Sequence, residues 1–251
     1  MKPKKIIITG GATRIGAAIG ESLANYDTEI SVHYNKSKSH ALKLKNKLEG
    51  LGSKVHLLKA DLNNYKQTQN LLKLANKKMK GLDCLINNAS LFENDDLNNF
   101  SEKSFTKHIN INLKAPAILT QNFKKILKKS EGCIINIIDQ RVEKLTPFFF
   151  SYTLSKSSLV TLTKTSAMKL APNIRINAIS PGPTLKNSRQ TESHFKKQWK
   201  SVLLKKKVDL KNICEGVKFL IKNTNITGEV INIDSGQRLA WNTPDIINVT
   251  E

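Results

Sequence analysis

Short apolar runs rich in β-branched residues alternate with segments of helical periodicity along the whole chain. Such alternation is typical of βαβ units, because two parallel strands need a crossover element between them. Right-handed crossovers then build a doubly wound sheet with helices on both faces. We therefore predict an α/β fold whose ligand site lies at the carboxyl ends of the strands.

The predicted elements follow one another without an internal repeat or a linker rich in Pro, Gly and Ser. Seven strands are expected, namely Lys5–Thr9, Glu29–Tyr34, Lys54–Lys59, Asp83–Asn87, Cys133–Ile138, Ile174–Ser180 and Val230–Ile233. Helical spacing marks Ile15–Asn25, Ser39–Leu51, Tyr65–Lys80, Ser101–Lys129, Tyr152–Leu170 and Leu210–Lys222. The 251 residues therefore predict a single Rossmann-type domain over residues 1–251 with a mainly parallel seven-stranded sheet.

The formal net charge of +21 is the compositional feature that first suggests a nucleic-acid or membrane partner. However, only five of the 41 basic residues are arginine, and lysines are spread over nearly every predicted helix. Nucleic-acid readers favour arginine for its bidentate contacts. We interpret the lysines as solvated surface that attracts an anionic cofactor, and we expect neither nucleic acid nor membrane as partner.

Several further features indicate a soluble, cytoplasmic protein. No apolar run reaches the roughly 18 residues of a membrane span. The apolar stretch near the start ends at Thr9, too short for a signal peptide. Cys84, Cys133 and Cys214 stand singly in apolar stretches without metal-ligand spacing, which predicts buried reduced thiols and no metal site.

The turn after the first predicted strand is a candidate dinucleotide site. Residues Thr9–Gly16 read TGGATRIG. Glycines there permit a tight strand-to-helix turn and close approach of the backbone to a pyrophosphate, which the free N–H groups of the helix N-terminus attract. Many glycine pairs bind nothing, so the position between the first strand and the first helix is what carries the prediction.

The end of the second predicted strand indicates which dinucleotide is bound. Sites specific for NAD carry an acidic residue here for the ribose 2′-hydroxyl. The chain instead places Asn35, Lys36 and Ser37 there, so no carboxylate repels a 2′-phosphate. Lys36 supplies charge and its neighbours supply hydrogen bonds. We predict NADPH rather than NADH.

Tyr152 and Lys156 are four residues apart and share one face of a predicted helix. The pKa of free tyrosine is about 10. A lysine cation beside the phenol favours the phenolate, and we expect it to bring this pKa toward the working pH. The same spacing is common on surface helices, but its position after the fifth strand favours a catalytic pair.

Together these motifs resemble those of the short-chain dehydrogenase/reductase family, from Lys4 to about Trp241. The glycine turn is similar to the family motif Thr-Gly-x-x-x-Gly-x-Gly, with Arg14 replacing the middle glycine as in pteridine reductases. The resemblance implies that Arg14 puts a cation beside the cofactor phosphates. The implied cofactor-binding residues are Gly10, Thr13, Arg14, Ile15, Gly16, Asn35, Lys36, Ser37, Asp61, Leu62, Asn88, Ala89, Tyr152, Lys156, Pro181 and Gly182.

The resemblance to pteridine reductases also rests on Asp139, thirteen residues before Tyr152, where most of the family has serine. An ionised carboxylate repels the oxyanion that forms in carbonyl reduction. A pterin instead presents N–H donors and an imine nitrogen that needs a proton. Phe92 resembles the aromatic residue that stacks on the pterin, although a core role for it stays open.

What the resemblance implies is NADPH-dependent reduction of a dihydropterin, namely dihydromonapterin, dihydrobiopterin or dihydrofolate. The implied catalytic residues are Asp139, Tyr152, Lys156 and Asn112, the last holding a relay water. The implied substrate-binding residues are Ser90, Phe92, Asp139 and Tyr152. Residues 185–204 would form a substrate lid and the chain a homotetramer. Two alternatives remain: a carbonyl or 3-oxoacyl-thioester reductase of the same family, and a nucleic-acid-binding or regulatory protein on the same fold.

Overall fold

The computed structural model describes residues 4–187 and 189–241 as one seven-stranded sheet flanked by helices. The strands are β1 (Lys5–Ile8), β2 (Glu29–Tyr34), β3 (Lys54–Lys59), β4 (Cys84–Asn87), β5 (Gly132–Ile137), β6 (Ile174–Pro181) and β7 (Val230–Ile233). All neighbouring pairs are parallel, in the order β3-β2-β1-β4-β5-β6-β7. Strand order reverses between β1 and β4, which opens a crevice at their carboxyl ends.

In the described part of the chain, eight α-helices flank the sheet. They are α1 (Arg14–Leu23), α2 (Lys38–Gly50), α3 (Tyr65–Met79), α4 (Glu102–Ile109), α5 (Ala115–Leu127), α6 (Phe150–Leu170), α7 (Glu192–Lys200) and α8 (Leu210–Lys222). Short 3-10 turns follow β5 and β7, at Gln140–Val142 and Gln237–Leu239. No helix within the described ranges is long and apolar enough to cross a membrane.

Both faces of the sheet are buried, which explains why its central strands read as continuous apolar runs. On one face, α1, α2 and α8 pack through residues such as Ile19, Leu48 and Val217. On the other face, α3 and α5 pack through residues such as Leu72 and Phe123. The two cores hold the strands in register, so the loops at their carboxyl ends converge on a rigid base.

The structure confirms the predicted Rossmann-type fold, and the sheet is entirely parallel where a mainly parallel one was expected. Every predicted strand ends within one residue of the observed one. The three cysteines are free and buried, as predicted. The predicted lid at residues 185–204 contains α7, which periodicity did not reveal. Ser188 in that segment, like residues 1–3 and 242–251 of the predicted domain, lies outside the described residues.

One predicted helix is wrong in detail. Ser101–Lys129 was expected as a single helix, but a π-helical turn at Asn110–Lys114 separates α4 from α5. Pro116, in the first turn of α5, has no N–H to donate to the carbonyl of Asn112, four residues earlier. The wider turn accommodates this missing hydrogen bond and rotates Asn112 into the buried interior, where it is fully inaccessible.

Candidate active site

A cleft of about 1460 Å³ runs along the carboxyl edge of the sheet. It is lined by every predicted cofactor- and substrate-binding residue: Gly10, Thr13, Arg14, Ile15, Gly16, Asn35, Lys36, Ser37, Asp61, Leu62, Asn88, Ala89, Ser90, Phe92, Asp139, Tyr152, Lys156, Pro181 and Gly182. Asn112 is the one predicted site residue that does not line it. The sequence-based selection therefore describes one contiguous surface.

The glycine turn packs directly against the loop that follows β4. Gly10 has a positive φ of 57°, and a Cβ there would lie 2.8 Å from Ala89 Cα. A Cβ on Gly16 would lie 2.5 Å from both Asn88 Nδ2 and the Gly10 carbonyl oxygen. Neither position tolerates a side chain. The turn therefore exposes bare backbone to the cleft, as close approach of a pyrophosphate requires.

Thr9 and Asn88 fasten β1 to β4 at this point. Thr9 Oγ1 accepts hydrogen bonds from the backbone N–H groups of Asn88 and Ala89, each at 3.0 Å. Asn88 Nδ2 donates to the carbonyls of Thr9 and Gly10, also at 3.0 Å. The Asn88 side chain is thus committed to holding the turn, so its predicted cofactor contact would have to come from its remaining atoms.

His33, near the end of β2, lines the cleft and was not among the site residues predicted from the sequence. Its Nδ1 accepts the Gly10 N–H at 3.0 Å, so its Nε2 carries the proton and donates to the Ala60 carbonyl at 3.1 Å. Burial lowers the pKa of His33 to about 4, which keeps the imidazole neutral. A polar residue ending an apolar strand was the available signal.

Arg14 connects the glycine turn to the predicted lid. Its backbone is left-handed, with φ at 56°. Its guanidinium donates to the Lys186 carbonyl at 2.9 Å and to the Leu185 carbonyl at 3.1 Å. These contacts tie residues far apart in the sequence, and the phosphate contact implied for Arg14 stays a prediction.

The candidate catalytic residues meet where β5 and α6 approach each other. Asp139 Oδ1 accepts the backbone N–H of Arg141 at 2.9 Å, and Oδ2 accepts the Tyr152 hydroxyl at 2.8 Å. Lys156 Nζ donates to the Ile137 carbonyl at 2.8 Å and lies 5.8 Å from the Tyr152 ring centroid. Tyr152 is 4% and Lys156 2% exposed. The carboxyl group therefore faces the cleft in direct contact with the phenol.

The electrostatics of this cluster correct one prediction. The pKa of Tyr152 is raised well above its usual value, by burial and by the Asp139 carboxylate to which it donates. Lys156 does not bring this pKa toward neutrality, because desolvation and the neighbouring carboxylate both favour the neutral phenol. Burial also lowers the pKa of Lys156 to about 8.

Asp139 itself holds a proton more tightly than a free aspartate. Burial raises the pKa of Asp139, while hydrogen bonds from the Arg141 N–H and the Tyr152 hydroxyl and the charges of Arg141 and Lys156 partly oppose the shift. Desolvation prevails, as expected for a carboxyl group in a poorly hydrated cleft. The raised pKa values of Asp139 and Tyr152 thus both favour the protonated form of the group.

Asn112 links the loop after β4 to the catalytic helix. Its Oδ1 accepts from the Leu91 N–H at 2.8 Å and from Ser90 Oγ at 3.3 Å. Its Nδ2 donates to the Leu91 carbonyl at 2.9 Å and to Ser155 Oγ at 3.0 Å. The side-chain amide is thus used in positioning Ser90, and the relay water implied for Asn112 stays a prediction.

An aromatic cluster with two arginines forms the substrate end of the cleft. Phe92 stacks on Phe149, with ring centroids 4.4 Å apart and 12° between the planes. It also makes an edge contact with Tyr152, with ring centroids 4.6 Å apart. Arg141 and Arg189 lie within 6 Å of both phenylalanine rings. Phe92 thus belongs to the cleft rather than to the core. The other three residues were not predicted from the sequence, although the aromatic run before Tyr152 was a signal for Phe149.

The end of β6 completes the wall opposite the glycine turn. A Cβ on Gly182 would lie 2.6 Å from Asp234 Cα, so the backbones after β6 and β7 approach closely. Gly182 N–H donates to the Ile233 carbonyl at 2.9 Å. Within the described part of the chain, no cluster of three or more His, Cys, Asp or Glu residues is arranged to hold a metal ion.

Comparison with known proteins defines the class. The family model described as short chain dehydrogenase matches residues 4–198. The chain therefore belongs to the short-chain dehydrogenase family of oxidoreductases.

Three relatives are similar over nearly the whole chain. The crystal structure of FolM alternative dihydrofolate reductase 1 from Brucella suis in complex with NADP is 40% identical, with a TM-score of 0.93, covering 97% of this chain and 98% of that one. Dihydromonapterin reductase from Enterobacter sp. strain 638 is 25% identical, over 94% of this chain and 97% of that protein. The 3-oxoacyl acyl-carrier-protein reductase FabG from Staphylococcus epidermidis is 26% identical, over 93% of this chain and 98% of that protein.

Proposed function

We propose that the protein reduces a 7,8-dihydropterin to the tetrahydro form with NADPH. The observation that carries the proposal is the Asp139 carboxyl group, hydrogen-bonded to the Tyr152 hydroxyl at 2.8 Å in the cleft beside Phe92. A carboxyl group can accept from the pterin N–H groups and can supply a proton, whereas a serine hydroxyl serves a carbonyl substrate better. The relatives named for dihydrofolate and dihydromonapterin reduction support the same chemistry.

The residues along the cleft fit an NADP cofactor. The bare backbone at Gly10 and Gly16 leaves room for a pyrophosphate, and Lys36 lines the cleft beyond β2 with no acidic residue directly after that strand. A cleft of about 1460 Å³ is large enough for a dinucleotide together with a bicyclic substrate. NADPH, when bound, would supply the hydride to C6 of the pterin ring.

The protein would supply the proton that the reduction also requires. Reduction of the imine bond adds one hydride at C6 and one proton at N5. The raised pKa of Asp139 keeps its proton available nearer to neutral pH. The Tyr152 hydroxyl, which donates to Asp139 Oδ2, extends this path, and the proton would reach N5 from the pair directly or through water. Lys156 would hold the nicotinamide ribose and add positive charge nearby.

The ring itself would be held by stacking and by hydrogen bonds. Phe92 offers a flat surface in the cleft, and Ser90 is held in place by Asn112. A planar heteroaromatic ring gains from such stacking as well as from burial. Dihydromonapterin, dihydrobiopterin and dihydrofolate all carry this ring.

The test uses the purified protein with NADPH and each of the three dihydropterins, followed by the loss of NADPH absorbance. We expect turnover of at least one dihydropterin and little turnover of a simple ketone or a 3-oxoacyl thioester. Fast reduction of the thioester without reduction of any dihydropterin would contradict the proposal. It would favour the carbonyl reductase that the similarity to FabG supports.

We also infer a homotetramer located in the cytoplasm, as in the sequence-based expectation. Met168 and Leu154 are exposed apolar side chains on α6, 79% and 41% accessible, and Phe219 on α8 is 47% accessible. Apolar side chains exposed on helices are common at subunit interfaces. Light scattering coupled to size-exclusion chromatography checks the assembly, and a monomeric mass would contradict it.

A further inference from the structure

Two arginines from separate segments meet at the substrate end of the cleft. Arg141 lies in the 3-10 turn after β5, and Arg189 lies between β6 and α7. The Arg141 guanidinium is 4.5 Å from the Phe149 centroid, and the Arg189 guanidinium is 5.0 Å from the Phe92 centroid. Both side chains therefore share the aromatic pair as a common platform.

Neither guanidinium has a carboxylate partner within ion-pair distance among the described residues. Nearby acids are engaged elsewhere, since Glu93 pairs with Lys107 at 3.3 Å and Asp139 accepts the Tyr152 hydroxyl. Two positive charges thus lie around the same aromatic pair at the cleft, and neither forms an ion pair with a described carboxylate. An anionic group of a ligand would gain favourable electrostatic interaction with both guanidinium groups.

The choice of residue type is informative in a chain so rich in lysine. Only five of its 41 basic residues are arginine, and three of these, Arg14, Arg141 and Arg189, line the cleft. Arginine binds carboxylates through two parallel hydrogen bonds, which lysine cannot do. Each guanidinium has five N–H donors. Arg189 donates one hydrogen bond to the Phe92 carbonyl, and Arg141 donates one to Thr146 Oγ1. Donors therefore remain for a ligand.

We propose that Arg141 and Arg189 form a recognition site for a carboxylate-bearing substituent of the ring substrate. The inference rests on the proposed function and narrows its substrate class. Of the three candidate dihydropterins, only dihydrofolate carries carboxylates, on its glutamate tail. With the ring stacked in the cleft, the tail extends from it toward the two guanidinium groups, which discriminate against pterins with neutral side chains.

The decisive experiment compares dihydrofolate with dihydrobiopterin, which has the same ring and a neutral side chain. The variants are Arg189→Gln and Arg141→Gln, with Arg189→Lys to separate charge from bidentate geometry. Lys200→Gln is the matched control, because Lys200 is an exposed cation on α7 that does not line the cleft. The quantity measured is kcat/KM for dihydrofolate divided by kcat/KM for dihydrobiopterin.

We expect the wild type to favour dihydrofolate and the ratio to fall at least about tenfold in Arg189→Gln and Arg141→Gln, which is the loss of one good hydrogen-bonded contact. Arg189→Lys should recover the ratio only in part, and Lys200→Gln should match the wild type. Equal losses for both substrates would overturn the inference. So would weaker NADPH binding with an unchanged ratio, because the arginines would then serve the cofactor phosphates.

A binding measurement separates this inference from the proposed function. p-Aminobenzoylglutamate carries the tail without the pterin ring and can be titrated calorimetrically into the NADP-loaded protein. Binding that is lost in Arg189→Gln supports the site even if no dihydropterin is reduced. Turnover of dihydropterins with no binding of the tail fragment and no preference for dihydrofolate would overturn the site while leaving pterin reduction standing.

Discussion

Replacing Asp139 with asparagine removes the proposed proton source while keeping the local geometry. The asparagine oxygen can still accept the Arg141 N–H, now at 2.9 Å from Oδ1. Its amide group can donate to the Tyr152 oxygen, which now lies 2.8 Å from Oδ2. The variant therefore has the same size and the same two neighbours, but it cannot carry the proton that N5 requires.

The expected loss of rate follows from the role of the carboxyl group. A positioned general acid contributes roughly 10²- to 10⁴-fold to a reaction, which corresponds to about 3 to 5 kcal/mol of activation free energy. The effect on folding should be far smaller. A charge-assisted hydrogen bond is lost, but so is the desolvation cost of the buried carboxylate, leaving a change on the order of 1 kcal/mol and about 2 to 4 °C in Tm.

The assay is single-turnover stopped-flow absorbance of NADPH with a dihydropterin, together with thermal melting. Because the pKa of Asp139 is raised, the wild type keeps the proton at higher pH than free aspartate does. The rate of the wild type should therefore fall as pH rises through this pKa, and this decrease should be absent in Asp139→Asn. Glu215→Gln is a suitable control, since Glu215 lies on the surface of α8 and forms an exposed ion pair with Lys218.

An Asp139→Asn variant that keeps its rate within about threefold of the wild type, where a hundredfold loss or more is expected, would contradict a proton-donating role for this carboxyl group. A variant with a large Tm loss as well as a rate loss would show that the carboxyl group is structural. Only a slow, well-folded variant with a flattened pH profile fits a proton donor.

Four further predictions concern the cofactor half of the cleft. Lys36→Glu should lower the kcat/KM ratio of NADPH to NADH at least about tenfold, because it repels the 2′-phosphate; an unchanged ratio would place that phosphate elsewhere. Gly16→Ala should weaken NADP binding at least about tenfold in calorimetry, because its Cβ would lie 2.5 Å from Asn88 Nδ2. Because the pKa of His33 is lowered to about 4, the unfolded chain binds a proton at this histidine at higher pH than the folded chain does. The free energy of unfolding should therefore decrease by roughly 3 kcal/mol as pH falls from about 6.5 toward 4. Thermal melts of His33→Gln should lack this dependence of stability on pH. Arg14→Gln should speed limited proteolysis after Thr184, since the predicted lid loses the hydrogen bonds from the Arg14 guanidinium to the carbonyls of Leu185 and Lys186. Equal cleavage rates in the variant and the wild type would contradict a role for Arg14 in holding this segment.

The order of the elements and most of the lining of the cleft could be predicted from the amino-acid sequence. The bounds of β2 and β3 were predicted to the residue. The central strands β4 and β5 are buried along their whole length, and strands buried on both faces read as largely apolar runs. The turn Thr9–Gly16 and the spacing between Asp139 and Tyr152 are likewise local patterns. A parallel sheet brings all its carboxyl ends to one edge, so residues just after the strands had to meet there.

The interactions between these groups could not be predicted in this way, because they depend on the folded structure. The pKa of Tyr152 rises because its hydroxyl donates to a carboxylate under shared burial, which no spacing along the chain expresses. The same holds for Arg141 and Arg189, which converge on Phe92 and Phe149 from the loops that follow the neighbouring strands β5 and β6. Pair interactions depend on distance and desolvation in space, and these arise only when the two faces of the sheet have closed.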